Sequence, residues 1–376
     1  MNWFYGRSQN AEVKLTPTLD SSGKVFGRLP RFIDTGLREP GTVEKQYFVK
    51  SGELYYVTGM RGFQLSTVPS YLVVRNAVTG ETVSTVLPLN TADSIFGPSI
   101  VGVGSDDPSD TLYYLSYTRN SAYVEYRTSS DLVTWGMPVQ VAGPVAGKVY
   151  YNTSVCYNSK LGKLVMAIES TNNNSEMSFV FMITGNDFLT WARIGTLKFG
   201  DPGYAACPVL DYRASTDSYY FAWLSFTGSE YQTRIGKIDG TMTTVSIAAY
   251  PILRSSGTDG TNASDLDFCE YNGEVLMNWC NGNQTTWGEG RLELYTGTME
   301  QFFNHVDSMI TMVTPVILDT ITRKSLGEVT VSWISEISER ILESTNMSDN
   351  PSVHMDIDLT EIFVKKLLEK NDNDDS

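Results

Sequence analysis

The stretch GPSIVGVGSDDPSDTLYYLSYTRN, residues 97–120, decides the fold. A short Pro-containing lead is followed by an apolar run, a polar turn and a second run rich in aromatic residues. A third run follows and ends in SSDLVTW, residues 129–135. β-Branched and aromatic residues alternate with polar ones over about four to eight positions in each run, which predicts strands. The unit is therefore predicted to form a small antiparallel sheet.

Related units occur at four other places in the chain. They open with EPGTVEKQYFVKSGELYYVTGMRG (39–62), YNTSVCYNSKLGKLVMAIESTN (151–172), AACPVLDYRASTDSYYFAWLSFTG (205–228) and NASDLDFCEYNGEVLMNWCNGNQ (262–284). Trp135 and Trp191 share one register, roughly 55 residues apart, which is close to the length of propeller repeats. GTMTTV (240–245) and GTMEQF (297–302) share another. Small sheets of this kind close their edges by packing radially around a channel.

We therefore predict an all-β protein with a five-bladed β-propeller over residues 31–305. Residues 1–30 are an N-terminal extension, and residues 306–376 are a C-terminal strand and helix extension. Within the repeat, Asp131 and Asp187 are expected to accept backbone N–H groups in tight turns. Trp135 and Trp191 are expected to pack beneath the blades, with a role as sugar platforms as the weaker alternative.

Two amphipathic segments lie in the C-terminal extension. TVSWISEISERILES (330–344) and DLTEIFVKKLLEK (358–370) each place apolar residues on one helical face. The acidic run NDNDDS follows them. The two helices either pack on the flank of the propeller or serve self-association or docking, and the sequence leaves both open.

Composition restricts the class of partner. The formal net charge is −15 over 376 residues, and no cluster of Lys and Arg offsets it. Nucleic acid and anionic membranes are therefore not expected partners, whereas glycans, cations and proteins remain open. The four cysteines contain no CxxC pair and none lies near a His, so zinc is not expected, and we expect small buried side chains instead.

The start MNWFYGRSQNAEVK has no basic segment followed by an apolar run, so no signal peptide is predicted. We expect synthesis in a cytoplasm, and a role outside the cell would require release by lysis or assembly into a virion. No apolar stretch approaches the ~20 residues of a membrane-spanning helix.

The residues that lead into the innermost strand of each blade should meet at the axis. They are predicted to be Arg38-Glu39-Pro40, Phe96-Gly97-Pro98, Asn152-Thr153-Ser154, Ala206-Cys207-Pro208 and Ser264-Asp265-Leu266-Asp267. Glu39 and Asp265 supply carboxylates there, and Glu169 on the second strand of the third blade is a possible third acid. Glycoside cleavage requires two opposed carboxyl groups, one protonated and one ionised. The alternative is that Glu39 and Asp265 only cap strands in contact with solvent.

Other chemistries have less support in the sequence. Neither His305 nor His354 lies in a funnel position, and no GxSxG motif is present, which disfavours serine catalysis. No Gly-rich phosphate loop in a βα context is present, and we expect no cofactor. A metal held by carboxylate and amide oxygens at the axis remains open, although the residue spacing does not indicate one.

The repeats resemble five-bladed propeller glycosidases and glycosidase-like proteins of the arabinanase–invertase type. REP (38–40) is similar to their first-blade Arg-Asp-Pro, IFGPSI (95–100) to their aromatic-Ala-Pro opening, and SSDLVTW to their Ser-x-Asp-Leu-x-x-Trp turn. The third, fourth and fifth units resemble a bacterial branch with Asn-Thr-Asp-Val-Cys, Thr-Ala-Cys-Pro and Asn-x-Ser-Asp-Val-Asp in the same order. The resemblance covers roughly residues 30–305 and implies a carbohydrate ligand.

The chain departs from that branch at three positions. Ser154 stands where the branch has Asp, and a hydroxyl cannot replace a carboxylate base. Ala205 stands where the branch has Thr. Glu39 stands where the branch has Asp, and its longer side chain would displace a catalytic carboxyl.

Three functions follow from these observations. An active glycosidase would use Glu39 and Asp265, with Glu169 as a third acid. A glycan-binding propeller would have weak or lost catalysis, and a structural or attachment protein, such as a phage virion component, would assemble through its C-terminal helices. The substrate-binding residues would be Asn152, Asp267, Gln284 and Trp287. The loss of the third-blade acid favours the second and third functions over hydrolysis.

Overall fold

The chain forms β-sheets and a short helix in a computed structural model. The structure describes residues 32–40, 44–60, 69–104, 110–172, 176–198, 204–226, 228–248, 251–254, 260–283 and 287–314. All of them belong to the first of two units of the chain, residues 1–322. The N-terminal extension predicted at 1–30 and the helices predicted at 330–344 and 358–370 lie outside the described residues.

Five antiparallel sheets make the five blades of a β-propeller, as predicted. The first strand of the chain is β1 (Phe32–Pro40). Blade 1 contains β2 (Gln46–Lys50), β3 (Glu53–Met60), β4 (Tyr71–Asn76) and β5 (Thr82–Val86). Blade 2 contains β6 (Ile95–Val103), β7 (Leu112–Arg119), β8 (Tyr123–Ser129) and β9 (Val139–Ala142). Blade 3 contains β10 (Lys148–Asn158), β11 (Lys163–Asn172), β12 (Glu176–Thr184) and β13 (Trp191–Lys198).

Blades 4 and 5 are completed by strands from elsewhere in the chain. Blade 4 contains β14 (Ala205–Arg213), β15 (Ser218–Phe226), β16 (Tyr231–Asp239), β17 (Val245–Ala248) and the short β18 (Leu253–Arg254). Blade 5 contains β19 (Ser264–Tyr271), β20 (Glu274–Gly282) and β21 (Trp287–Tyr295). They are followed by helix α1 (Met299–Met309) and strand β22 (Ile310–Thr314), which pairs with β17 at the edge of blade 4.

Strand β1 closes the ring by pairing with β21 as the outermost strand of blade 5. This pairing corrects the predicted position of Glu39, which lies opposite Gly290 in β1 and not at the entrance of the first inner strand. The inner strand of blade 1 is β2, and Glu44 precedes it. The sequence analysis misplaced Glu39 because an edge strand and an inner strand have the same alternating pattern, and only the pairing partner separates them.

The core consists of the layers between neighbouring blades. Val57 of blade 1 and Leu115 of blade 2 are buried in one such layer. The layer between blades 5 and 1 contains Leu276 and Tyr56, so the ring is closed by apolar packing as well as by β1. The middle strands are buried on both faces, which explains why β15 is almost continuously apolar.

Side chains also connect each blade to the next by hydrogen bonds. Gln46 Oε1 accepts from the Ile100 amide at 2.6 Å, and Ser99 Oγ accepts from the Val155 amide at 3.0 Å. Three further bonds complete the circle: Leu210 N to Ser154 Oγ, Thr233 Oγ1 to Ala263 O, and Asn278 Nδ2 to Lys45 O. Because these groups are buried, each bond satisfies a polar atom that water does not reach.

Helix α1 packs against the layer between blades 4 and 5. It begins at a capping box in which Thr298 and Gln301 bond to each other's backbone amides. Phe302 and Phe303 face the core, and the ring of Phe303 stacks on that of Tyr220 with centroids 3.9 Å apart. The sequence analysis placed GTMEQF in the propeller repeat in register with GTMTTV, but GTMEQF begins a helix and GTMTTV leads into β17. The predicted boundary at residue 305 therefore falls inside α1.

The predicted Asp turns are present in blades 2 and 3. Asp131 Oδ1 accepts from the amides of Val133 and Thr134, and these bonds lower the pKa of Asp131. Asp187 makes the same bonds in blade 3. The Trp135 indole donates to Ser84 Oγ at 3.1 Å. Trp135 and Trp191 pack against blade cores, in agreement with a structural role.

Candidate functional site

A small cavity lies where the five inner strands begin. Its volume is about 40 Å³. Every blade contributes to the lining: Glu44, Lys45 and Gln46; Gly97, Pro98 and Ser99; Asn152, Thr153 and Ser154; Cys207, Pro208 and Val209; and Asp265, Leu266 and Asp267. Four of the five predicted entrances thus line one cavity, and in blade 1 the stretch at Glu44 takes the place predicted for Glu39.

Irregular backbone at the strand entrances directs these side chains toward the axis. The registers of β6, β10, β14 and β19 with their neighbours each shift by a bulge close to the cavity. Such bulges re-aim side chains and are common next to functional sites. Glu44, Cys207 and Asp265 have φ values of 52°, 50° and 53°, in the left-handed region that ordinary residues rarely adopt.

Glycine is required at the equivalent position of blade 2. Gly97 has φ of 61°, and a Cβ there would lie 2.6 Å from the carbonyl oxygen of Tyr151. The tight approach of blades 2 and 3 at the cavity therefore depends on the absence of a side chain at Gly97.

Glu169 reaches the site from β11, as the sequence analysis predicted. Its Oε2 accepts from Asn152 Nδ2 and from the Cys207 amide, both at 2.8 Å. Burial raises the pKa of Glu169 to about 7, although these two hydrogen bonds favour the ionised form. Glu169 can therefore gain or lose a proton close to neutral pH.

Cys207 lies between Glu169 and Asp265. Its amide donates to Glu169, and its thiol donates to Asp265 Oδ1 at 3.2 Å. Asp265 Oδ2 accepts from Ser264 Oγ at 2.7 Å. Burial raises the pKa values of both the Cys207 thiol and the Asp265 carboxyl, which keeps the thiol protonated and able to donate.

Glu44 is the third acid of the site and was missed by the sequence analysis. Its Oε2 accepts from the Gly97 amide at 2.7 Å. Burial, together with repulsion from Asp265, raises the pKa of Glu44 to about 8. The group is therefore protonated at neutral pH. The residue was hidden because VEKQYF carries none of the turn or proline signals that mark the other strand entrances.

The predicted binding residues divide into two groups. Asn152 and Asp267 line the cavity. Asp267 Oδ2 is buried without a hydrogen-bond partner among the described residues, and burial raises the pKa of Asp267 well above its ordinary value. Gln284 lies outside the described residues. The backbone of Trp287 pairs with Gly282, at the end of blade 5 where β19 begins.

Cys207 also departs from the prediction for the cysteines. Cys156, Cys269 and Cys280 are buried, in agreement with the expectation of small core side chains. Cys207 is only half-buried and lies among the acids of the cavity. The Ala-Cys-Pro sequence at the strand entrance was the available signal for this difference.

The described ranges contain no group of three His, Cys, Asp or Glu side chains arranged to hold a metal ion. No helix in the described part of the chain has the length and apolar character needed to cross a membrane.

Solved structures of carbohydrate-active proteins share this fold. No protein-family model matches the sequence, and no curated protein matches it. A Podospora anserina α-L-arabinofuranosidase in complex with cellotriose is 11% identical, with a TM-score of 0.51 over 75% of this chain and 96% of that chain. The catalytic domain of a Coprinopsis cinerea GH62 α-L-arabinofuranosidase is 12% identical, with a TM-score of 0.50 over 69% of this chain and 92% of that chain.

A glycosyl hydrolase from Bacteroides ovatus is 12% identical, with a TM-score of 0.50 over 75% of this chain and 87% of that chain. The resemblance to five-bladed glycosidase-like propellers is thus confirmed at the level of fold. Identities this low leave the activity to be argued from the site itself.

Proposed function

We propose that the protein binds a carbohydrate at the axial cavity and has weak or no hydrolytic activity. The position of Cys207 carries this proposal. In a glycoside hydrolase the scissile bond lies between two carboxyl groups, about 5–5.5 Å apart in retaining enzymes and about 6.5–9.5 Å apart in inverting ones. Here Cys207 bonds to both Glu169 and Asp265, so the protein's own chain already engages these two carboxyl groups.

The groups at the cavity suit sugar hydroxyls. A protonated carboxyl donates one hydrogen bond and accepts others, and an amide does both. Glu44 is protonated at neutral pH because its pKa is about 8, and Asn152 lies beside it in the lining. The structural neighbours support a sugar ligand, since one of them was solved with cellotriose.

A second candidate function is hydrolysis through Glu44 and Asp265. One observation favours it: the charge of Asp265 helps to raise the pKa of Glu44, so a protonated acid lies within electrostatic reach of a second carboxyl. Glycosidases separate the roles of acid and base in this way.

Affinity electrophoresis tests the proposal with arabinan, xylan, mannan, fructan and mixed-linkage β-glucan embedded in native gels. We expect at least one polysaccharide to retard the wild-type protein, and Asn152→Ala to be retarded less. Glu81→Gln, a change at an exposed carboxylate, serves as the matched control and should behave as wild type. Reducing ends are measured after incubation with the same polysaccharides.

Each outcome separates the candidates. Retardation without release of reducing ends supports binding without catalysis. Release that disappears in both Glu44→Gln and Asp265→Asn supports hydrolysis. If no polysaccharide retards the wild-type protein and none is cleaved by it, both carbohydrate functions are wrong.

The proposal includes attachment as the purpose of binding. A glycan-binding propeller joined to an assembly, such as a virion, would combine surface recognition with self-association or docking, one of the two roles left open for the C-terminal helices. The amphipathic pattern of residues 330–344 and 358–370 supports this part of the proposal.

A further inference from the structure

Three aromatic side chains form a row on blade 4, which we call the blade 4 row: Tyr204, Tyr231 and Phe226. The Tyr204 and Tyr231 rings meet edge to face with centroids 5.0 Å apart. The Tyr231 and Phe226 rings are 4.7 Å apart. Phe226 is 38% exposed, so part of its side chain faces solvent.

The row begins beside the axial cavity, because Tyr204 directly precedes β14 and lies three residues before Cys207, which lines the cavity. Burial raises the pKa of Tyr204, and the nearby Cys207, Glu169 and Asp265 raise it further, which places Tyr204 within electrostatic reach of all three. The row also lies at the end of blade 4 where β14 begins. Ala205, where β14 enters at the axis, pairs with Ser225, next to Phe226 at the end of β15. The row therefore lies beside the acids, at the end of blade 4 where β14 begins.

The size of the cavity determines how a sugar can bind. Cavities that enclose a small-molecule ligand span about 300–1,000 Å³, whereas this one is about 40 Å³. Such a volume holds only about two or three water molecules. A sugar ring must therefore lie across the mouth and gain its remaining contacts from the surrounding face.

The charge of the lining selects among sugars. Glu44, Asp265 and Asp267 line the cavity, and Lys45 is the single cationic side chain of the described lining. The Lys45 ammonium lies 4.0 Å from the centre of the Tyr56 ring, and burial lowers the pKa of Lys45 to about 7. Recognition of carboxylated or sulfated sugars depends on Arg and Lys pairs. The described lining lacks such pairs and therefore offers an anionic sugar no pair of cationic partners to offset the cost of removing it from water.

We infer that the ligand is a neutral glycan of two or more sugar units. One unit lies over the axial cavity and bonds to its carboxyls and amides, and the next unit stacks its apolar face on Phe226. This inference rests on the proposed carbohydrate function and adds the charge of the ligand, its minimum length and the direction in which it lies.

The test uses Phe226→Ala, Phe226→Tyr and the control Leu189→Ala, which removes a more exposed apolar side chain, 59% against 38%, from blade 3. The probes are the neutral polysaccharides named above and the anionic polymers polygalacturonate, alginate and heparin, in affinity gels. The monosaccharide and the tetrasaccharide of the neutral polymer that binds are then titrated into each protein variant, and binding is measured by calorimetry.

We expect Phe226→Ala to weaken tetrasaccharide binding by about three- to tenfold, the range of one aromatic stacking contact, and to leave monosaccharide binding unchanged. Phe226→Tyr should restore the affinity, and Leu189→Ala should have no effect. Equal tetrasaccharide affinities for Phe226→Ala and wild type, or strongest binding to an anionic polymer, would overturn the inference while the carbohydrate function stands. Absence of binding to every polymer would overturn both.

Discussion

Ser154 occupies the position at which the bacterial branch resembled by this chain has Asp. Its hydroxyl accepts a hydrogen bond from the Leu210 amide at 2.8 Å, and the residue is 5% exposed. Position 154 therefore belongs to the contact between blades 3 and 4. A carboxylate introduced here would replace the hydroxyl that joins blades 3 and 4, so Ser154→Asp is expected to disturb this contact and not to restore a catalytic acid.

The Ser154 contact gives the first prediction. Ser154→Ala leaves the Leu210 amide buried without a partner, which should lower the free energy of unfolding by about 1–3 kcal/mol. Urea denaturation measures the change. Ser130→Ala, at an exposed serine of blade 2, is the control and should change little. Equal stabilities of Ser154→Ala and wild type would show that water or another acceptor satisfies the Leu210 amide.

Glu44 gives the second prediction, a dependence of stability on pH. The pKa of Glu44 rises from 4.5 to about 8 on folding, chiefly through burial. Below the unfolded value the carboxyl is protonated in both states, and its contribution is fully present. As pH rises through this window the unfolded chain loses the proton first, so stability is lost up to the folded pKa. Glu169 acts in the same direction, with a pKa of about 7.

Glu44→Gln removes this dependence. The Tm of Glu44→Gln relative to wild type should therefore increase between about pH 5 and pH 8.5, by roughly 2–4 °C for each 1 kcal/mol of linkage. Thermal unfolding followed by circular dichroism at the two pH values measures it. For Glu81→Gln, the difference in Tm from wild type should be the same at both pH values. The same result for Glu44→Gln would mean that Glu44 is ionised in the folded protein at neutral pH.

Single positions also show how far sequence reasoning extends. Asp265, Asn152 and Glu169 were predictable because they lie in or beside recurrent strand openings. Glu44 was not assigned to the site, and Cys207 was placed at the axis without a role, although both lie on left-handed backbone with φ values of 52° and 50°. No local pattern in the sequence marks that conformation at a residue other than Gly or Asn.

At the scale of elements, the error at GTMEQF has a physical explanation. The three residues GTM occur at the start of both GTMTTV and GTMEQF, yet β-branched residues follow in the first and a capping glutamine in the second. Thr298 and Gln301 form a reciprocal capping box, which nucleates α1 where a strand was expected. The Thr-x-x-Gln spacing was the signal that distinguishes the two segments.

Helix α1 is predicted to stabilise the packing between blades 4 and 5. Phe302 is fully buried and contacts the Phe268 ring at a centroid distance of 4.8 Å. Phe302→Ala should lower the free energy of unfolding by about 3–5 kcal/mol. Ser308→Ala, on the exposed side of the same helix, is the control. A loss below 1 kcal/mol, measured by urea denaturation, would contradict a structural role of α1 in the core.

At the scale of the whole molecule, five repeats and their closure into a ring followed from the sequence, but the origin of the closing strand did not. The pairing of β1 with β21 joins residues that are far apart in the chain, such as Phe32 and Tyr295. Periodicity identifies strands but does not identify partners at that separation. The same limitation moved Glu39 from the edge of blade 5 to a predicted place at the axis.

Ring closure by β1 predicts different effects of two N-terminal deletions. Removal of residues 1–40 takes away β1 and leaves the edge of β21 unpaired, which favours association through that edge. Removal of residues 1–31 keeps β1. We expect the longer deletion to lower Tm and to produce oligomers by light scattering, and the shorter deletion to unfold as the full chain does. Equal behaviour of the two would mean that blade 5 is stable with three strands.

A C-terminal deletion tests whether the propeller acts alone. Deletion of residues 306–376 would be a poor test of assembly, because Val306 and Met309 are buried in the core and β22 pairs with β17. A chain that ends at Thr314 keeps these contacts and removes both predicted amphipathic helices.

If the helices associate, light scattering should give a defined oligomer for the full chain and a monomer for the shorter one, with the same glycan affinity per subunit. Multivalency would then make the full chain bind a glycan-coated surface more tightly than the shorter chain does. A monomer in both cases would disprove self-association and leave packing on the flank of the propeller or docking to another protein as the remaining roles for those residues.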